Sequence, residues 1–341
     1  MIADAIKTIV GGQHLGRDEM HAVFAAMMDG RATEVQKSAL LIALRMKGET
    51  AEEITGAAMA MRERVTPLPG RFEGLIDTCG TGGDGLGTFN VSTLAAIVAA
   101  AAGAPVAKHG NRAVSSACGS ADLLKELGVE IDLDAAGMSN VLRSTGISFL
   151  FAPKLHPAMS SVAAVRRELG VRTIFNVLGP LTNPALAKRQ VLGVYALHLV
   201  EVLAKVLLAL GAEHALVVHS LDGLDEISIS APTAVSELRD GTIHNYELTP
   251  ADIGVRAHDL SELSGGNAQD NARIARLVLA GEAGAPAEIV VANAGAALYV
   301  AGSAATVRDG VTLAREAILS GRAQRKLEEL VAATNAGAAQ R

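Results

Sequence analysis

The sequence has no tryptophan, and aromatic residues fill only 3% of its 341 positions. An interior built from it must therefore rest on Ala, Val, Leu and Ile, which the 50% hydrophobic content supplies amply. Cysteine is nearly absent too. Cys79 and Cys118 form neither a metal-ligand spacing nor a disulfide framework, which fits thiols in a reducing compartment. Residues 1–10 carry Asp4 and Lys7 and lack the apolar core of a secretory signal, so a cytoplasmic location is expected. The Ala-rich run 94–104 falls far short of the ~20 residues that span a bilayer. Positive charge is in deficit, with 30 Lys and Arg against 36 Asp and Glu. A net charge of -6 with so few aromatics argues against general nucleic-acid binding.

The length suits one large domain plus a smaller one. The first seventy residues read as wholly helical. Thr33-Glu-Val-Gln36 and Thr50-Ala-Glu-Glu53 are capping boxes, and Gly30 and Gly48 are stop signals. The stripe Val35, Leu40, Leu41 and Leu44 can face a core or a partner subunit. From Gly74 the pattern changes. Strands are expected at 75–77, 105–108, 129–131, 147–151, 191–195 and 215–219, and helices at 93–102, 121–127, 138–144 and 199–210. Residues 232–246 read as β-rich turns, and 272–280, 288–300 and 306–320 as helices. Such alternation with short connections predicts an α/β fold with a mostly parallel sheet covered by helices, plus the small all-helical domain.

Four features fall at expected strand ends, where open α/β sheets bind ligands. Gly80-Thr-Gly-Gly-Asp-Gly85 matches the dinucleotide fingerprint, but the later region that should supply a ribose-binding acid reads Val-Ala-Lys108-His109, which is basic. No Lys-Ser/Thr pair follows, so it is not a Walker loop. What remains is a glycine turn leading into Asn90, Val91, Ser92 and Thr93 at a helix start, an arrangement suited to phosphate. The second feature, Lys108-His-Gly-Asn-Arg-Ala-Val-Ser-Ser116, gathers cations, an imidazole and hydroxyls, and Ser120 follows as a cap candidate. The third contains His156, Arg166 and Arg172-Thr-Ile-Phe-Asn176, where an arginine can hold a carboxylate in two-pronged fashion. The fourth, Asp222-Gly-Leu-Asp225-Glu226, crowds acids that suit Mg2+. Asp84, set among the glycines, makes sense if the phosphate arrives with magnesium.

Together, Gly80-Thr-Gly-Gly-Asp84, Asn90-Val-Ser-Thr93, Lys108-His-Gly-Asn-Arg112, Gly119-Ser-Ala-Asp122, Arg172-Thr-Ile-Phe-Asn176 and Gly223-Leu-Asp-Glu226 closely resemble the anthranilate phosphoribosyltransferase family over nearly the whole chain. The resemblance implies a nucleoside phosphorylase-like arrangement: a helical domain over 1–71, joined by helices within 158–188, and an α/β catalytic domain over 72–341. It implies a homodimer formed through the helical domain. It also implies transfer of the phosphoribosyl group of 5-phosphoribosyl 1-diphosphate to the amine of anthranilate, in tryptophan biosynthesis, with Mg2+, two ions per active site.

Carried over position by position, the donor would meet Gly80, Gly83, Asp84, Thr88, Asn90, Val91, Ser92, Thr93, Lys108, Asn111, Arg112, Ser116 and Ser120. Anthranilate would meet Gly80, His109, Asn111 and Arg166. Ser92, Asp225 and Glu226 would hold the metal, and Lys108, His109 and Asp84 would serve the chemistry. Three departures stand out: Ala117 where relatives often have a basic residue, Ala164 where a proline is expected, and Ser220 where glycine is common. Two rivals remain. A nucleoside phosphorylase shares the glycine loop and the lysine but needs no acid pair. A nucleic-acid-binding relative of the fold would show broken donor motifs.

Overall fold

The computed structural model describes residues 1–113 and 117–338. The first four helices are α1 (Ile2–Val10), α2 (Arg17–Met28), α3 (Glu34–Lys47) and α4 (Ala51–Arg62). Both expected capping boxes form. Thr33 Oγ1 accepts from Gln36 N at 3.2 Å, and Thr50 Oγ1 from Glu53 N at 3.2 Å. The Val35 stripe divides: Leu40, Leu41 and Leu44 are fully buried, whereas Val35 is 79% exposed.

A seven-stranded sheet follows, built from β1 (Ile76–Thr78), β2 (Val106–Gly110), β3 (Ile147–Phe151), β4 (Arg189–Gly193), β5 (His214–Ser220), β6 (Thr233–Arg239) and β7 (Thr242–Leu248). Its order is β3-β2-β1-β4-β5-β6-β7. The first five strands are parallel, and the last two add antiparallel. The helices between and after the strands are α5 (Val91–Ala101), α6 (Ser120–Glu126), α7 (Ala135–Thr145), α8 (Ala152–Leu155), α9 (Ser160–Leu169), α10 (Phe175–Leu178), α11 (Leu199–Ala209), α12 (Pro250–Ile253), α13 (Ala268–Leu279), α14 (Ala285–Ala301), α15 (Val307–Leu319) and α16 (Arg322–Ala338). Among the described residues no helix is long and apolar enough to cross a membrane.

The two-residue period of a strand divides the core. Val191, Leu216 and Val218 join the side occupied by α5, α14 and α15. Leu192, Val194, Ala215 and Val217 join the side occupied by α11 and the N-terminal bundle. Helices α9 and α10 contribute Val162, Val165, Phe175 and Leu178 to that second core. The bundle therefore docks on one face of the sheet, and α9 and α10 carry chain from it back toward the sheet.

Two sequence expectations need correction. Residues 129–131 are not a strand. Val129 and Ile131 are buried, but Glu130 N donates to Thr334 Oγ1 of α16 at 3.2 Å, so that donor is met by a helix rather than by a ladder. Residues 232–246, read as β-rich turns, are β-structured but form one regular hairpin of β6 and β7 with a single tight turn. Asp240 and Gly241 have φ of 51° and 75°, the pair of left-handed residues that a tight hairpin turn requires. Helix α16, which no expectation covered, packs against α5 and α7.

Candidate active site

The strand order reverses between β1 and β4, so the sheet opens its crevice there. The glycine loop leaves β1 at that point. Gly82, Gly83, Gly85 and Gly87 take φ of 65° to 81°, which side-chain-bearing residues rarely adopt. A Cβ on Gly80 would stand 2.9 Å from Asp225 Oδ2. Gly82 N donates to that same oxygen at 2.7 Å. The first and fourth sequence features, far apart in the chain, thus share one corner.

Helix α5 begins on the other side of this corner. Ser92 N donates to Glu226 Oε1 at 3.1 Å. Lys108 Nζ donates to Thr78 O at 2.6 Å and to Ser92 Oγ at 3.4 Å, which fixes a cation beneath the helix start. Asp84 Oδ1 accepts from Leu86 N at 3.1 Å. Asp84 Oδ2, Asn90 Oδ1 and Thr93 Oγ1 are buried without hydrogen-bond partners. Each such orphan costs roughly 1–3 kcal/mol. Asp84 lies in the glycine loop and Asn90 and Thr93 at the cap and first turn of the α5 that follows it, so this unmet polar demand suits a polar ligand there.

The acids carry the same message. Burial, then the neighbouring Asp84 charge, pushes the Asp225 pKa well up. Burial, then Asp225, does the same to Glu226. Buried carboxylates that cannot share a cation are costly to ionise. The donor set is hard oxygen throughout, and so it fits Mg2+. Among the described residues, the one group of three possible metal-donor side chains whose ligand atoms all lie within 4.8 Å of one another is Asp77, Cys79 and His109; Asp84, Asp225 and Glu226 do not converge that tightly. That trio does not fit the ion. Asp77 already accepts from His109 N at 3.1 Å and from Asn183 Nδ2 at 2.8 Å, and thiol and imidazole are soft or intermediate ligands. Burial pushes the Cys79 thiol far above its usual range.

His109 is buried and neutral. Burial, then His156, lowers its pKa to about 3, and burial lowers His156 to about 4. Its Nδ1 sits 3.2 Å from Gly179 O, and a carbonyl only accepts, so Nδ1 carries the proton. Nε2 must then accept from His156 Nε2, 3.1 Å away. Both ring nitrogens are engaged. Arg166 stacks over the Phe175 ring at 5.1 Å, on the short helix α10 that leads to Gly179.

The remaining expected residues lie around the rim. Arg172 donates to Gly83 O. Thr88 bridges to Ser264, and Val91 is buried in the first turn of α5. Arg112 pairs with Asp122 at 3.5 Å and lies over Phe151. Asn111 O accepts from Ser120 Oγ at 3.1 Å. Ser120 is not the expected cap. Gly119 occupies that position, and the Asp122 carboxylate takes the Gly119 N–H at 3.0 Å. Ser116 lies outside the described residues. Ala164 sits within the unbroken helix α9. Ser220 fastens the acidic turn: its Oγ donates to Glu226 O at 2.6 Å and accepts from Ser228 N at 3.0 Å.

The family model described as "Glycosyl transferase family, helical bundle domain" matches residues 3–65, and the one described as "Glycosyl transferase family, a/b domain" matches residues 73–324. An anthranilate phosphoribosyltransferase of Pelotomaculum thermopropionicum is 52% identical over 331 residues, covering 97% of this chain and 96% of that protein. The chain belongs to the anthranilate phosphoribosyltransferase family. Another member, from Anaeromyxobacter sp. (strain K), is 55% identical over 98% of this chain and 99% of its own length. A member from Thermus thermophilus, 46% identical, superposes with a TM-score of 0.92 over 97% of this chain and 99% of its own. One from Saccharomyces cerevisiae in complex with PRPP and Mg, 28% identical, does so with a TM-score of 0.90 over 98% of each chain.

Some supporting residues were not singled out from the sequence. Asn271 Oδ1 accepts from Asn90 N at 3.1 Å. Asn293 brackets Ile227, accepting from its N–H and donating to its carbonyl at 3.0 Å each, which braces the acidic turn. Asn183 joins Asp77 to Ala107 O. Asn293 had a signal: it is the one polar residue between Ile289 and Leu298.

The raised acids set a stability test. Folded pKa values above the unfolded ones mean stability that is present at acid pH and lost as pH rises through the folded pKa. Without divalent ions at about pH 8, Asp225→Asn with Glu226→Gln should therefore melt at least ~2 °C above the parent, and the gap should narrow toward about pH 5. Thermal scans across pH check this, and a double variant that melts lower at about pH 8 contradicts it.

Proposed function

We propose that this protein transfers the phosphoribosyl group of 5-phosphoribosyl 1-diphosphate to the amine of anthranilate, giving N-(5-phosphoribosyl)anthranilate and diphosphate, in L-tryptophan biosynthesis in the cytoplasm. The observation that carries the reading is the Gly82 N to Asp225 contact at 2.7 Å, which brings the glycine loop and the acid pair to one corner beside β1 and β4. The family membership and the yeast relative in complex with PRPP and Mg support it.

In this reading the amides of Gly80 and Gly83, beside those of Thr81 and Gly82 that hold Gly193 O and Asp225, take the diphosphate oxygens together with the side chains at the start of α5. Asn90, Thr93 and Ser92 supply polar side chains there. Ser92, Asp225 and Glu226 would hold magnesium, and with Asp84 the acids bring enough negative charge for two ions beside the donor's phosphates. When bound, the metal offsets charge on the departing diphosphate.

The reaction forms a bond from the amine nitrogen to ribose C1 while the C1–O bond breaks, and diphosphate keeps the electron pair. The arylamine is already neutral, so no strong base is needed. Lys108, held by Thr78 O and Ser92 Oγ, presents a fixed charge to the leaving group. At 4 Å such a charge is worth about 4 kcal/mol at an effective dielectric of 20, before desolvation is subtracted. Asp84 Oδ2, which has no partner, accepts from a ribose hydroxyl. His109, neutral and engaged at both nitrogens, positions the acceptor rather than taking its proton, which leaves to water. Arg166 orients the anthranilate carboxylate. Asn111 and Arg112 line the second loop.

Loss of anthranilate fluorescence with purified protein tests the reading. It should require both the donor and Mg2+, and Arg166→Ala should raise the anthranilate KM ~10-fold or more, as loss of a charged hydrogen bond implies. Fluorescence that stays constant with both present contradicts the assignment, and thymidine cleavage by phosphate would favour the phosphorylase reading. We also propose a homodimer through the helical domain, supported by the exposed Val10, Val35 and Met46. Sedimentation should give twice the chain mass, and Val35→Asp should shift it toward the single chain.

A further inference from the structure

Arg172 belongs to the sequence feature that anthranilate recognition drew on, yet that role used Arg166 alone. Its surroundings are distinct. Arg172 follows α9, whose start is tied to the bundle by Lys37 Nζ donating to Ser161 O at 2.5 Å. The Arg172 guanidinium lies over the Tyr195 ring at 4.5 Å. From there it donates to Gly83 O in the glycine loop. A Cβ built on Gly83 would meet the Nη2, Nε and Cζ atoms of Arg172 at 3.6, 3.7 and 3.8 Å, so the planar group covers the loop. Tyr195 grips the same loop through its backbone, because Tyr195 N donates to Thr81 Oγ1 at 3.0 Å while Thr81 N donates to Gly193 O at 2.8 Å. Tyr195 also lies within electrostatic reach of Arg45 in α3 and of Glu49 just beyond it.

We infer that Arg172, seated on Tyr195, is a positioning residue that holds the glycine loop in its ligand-binding shape and couples that shape to the docking of the helical bundle. This rests on the phosphoribosyl-transfer reading above. The left-handed glycines give the loop many alternative shapes, and nothing in their own chemistry selects one. Asp225 fixes Gly82 from the sheet side. Arg172 fixes Gly83 from the bundle side. A lysine cannot substitute, because a point charge on a flexible stem neither stacks on the ring nor keeps the planar donor aimed at a carbonyl.

The test compares the parent chain with Arg172→Ala, Arg172→Lys and Tyr195→Leu. Hydrogen exchange without any ligand should show faster exchange of residues 80–87 in Arg172→Ala, with the melting temperature within about 2 °C of the parent. Calorimetry with 5-phosphoribosyl 1-diphosphate and Mg2+ should show about tenfold weaker binding, from the lost charged hydrogen bond. The donor KM should rise in step while the anthranilate KM stays within about twofold. Lysine should fail to restore any of these, and Tyr195→Leu should reproduce them in part. Unchanged exchange in the loop overturns the inference, as does full rescue by lysine or an equal loss for both substrates. If the parent itself does not bind the donor, the transfer reading fails, whereas a parent that binds and an Arg172→Ala variant that binds equally well sink the clamp alone.

Discussion

Carboxylates cannot be crowded into a water-poor corner without something to balance them. Asp225 and Glu226 are crowded in this way, with Asp84 close enough for its charge to bear on both. The structure meets the demand with amides. Gly82 N–H caps Asp225, and the Ser92 N–H at the start of α5 caps Glu226. Each capping amide belongs to a segment that also faces the crevice. The acid turn, the glycine loop and the start of α5 are therefore one unit: whatever moves one disturbs the others.

Much of the scaffold serves that unit. Asn293 and Ser220 brace the acidic turn from behind. Gly193 at the end of β4 matters for lack of a side chain, since a Cβ there would collide with the Asp225 carbonyl. Asp77 and Asn183 tie β1 to β2 below the loop, which keeps Lys108 aimed at Thr78 O and Ser92. The N-terminal bundle reaches the same place by a longer route, through α9, Arg172 and Tyr195. Charge, glycine geometry and domain docking converge on a cleft at the switch point of the sheet.

The parts of this design that were readable in the sequence are those with local signals. Thr33 and Thr50 announce their helices by capping chemistry, and short apolar runs between helical segments announce β2, β3 and β5. The glycine loop and the acid pair were recognisable because each chemistry is concentrated in a few consecutive residues. That the two touch was not legible, because 143 residues separate Gly82 from Asp225. Residues 129–131 misled because a short β-branched run is equally at home in a buried connection whose backbone a distant helix satisfies. The hairpin at Asp240-Gly241 was carried by a two-residue turn signal that a reading of the longer segment passed over. Arg172 and Tyr195 gave no sign of each other at all. Cation–ring contacts between loops are decided by the tertiary fold.

The central claim is that burial raises the proton affinity of the acid pair and that a cation bound beside the glycine loop relieves it. Calorimetric titration of the protein with Mg2+ and inorganic diphosphate near pH 7, in buffers of differing ionisation enthalpy, counts the protons released. The account predicts saturable binding with net proton release that disappears when Asp225 and Glu226 are both made neutral. Binding without proton release, or release that survives those substitutions, would contradict it.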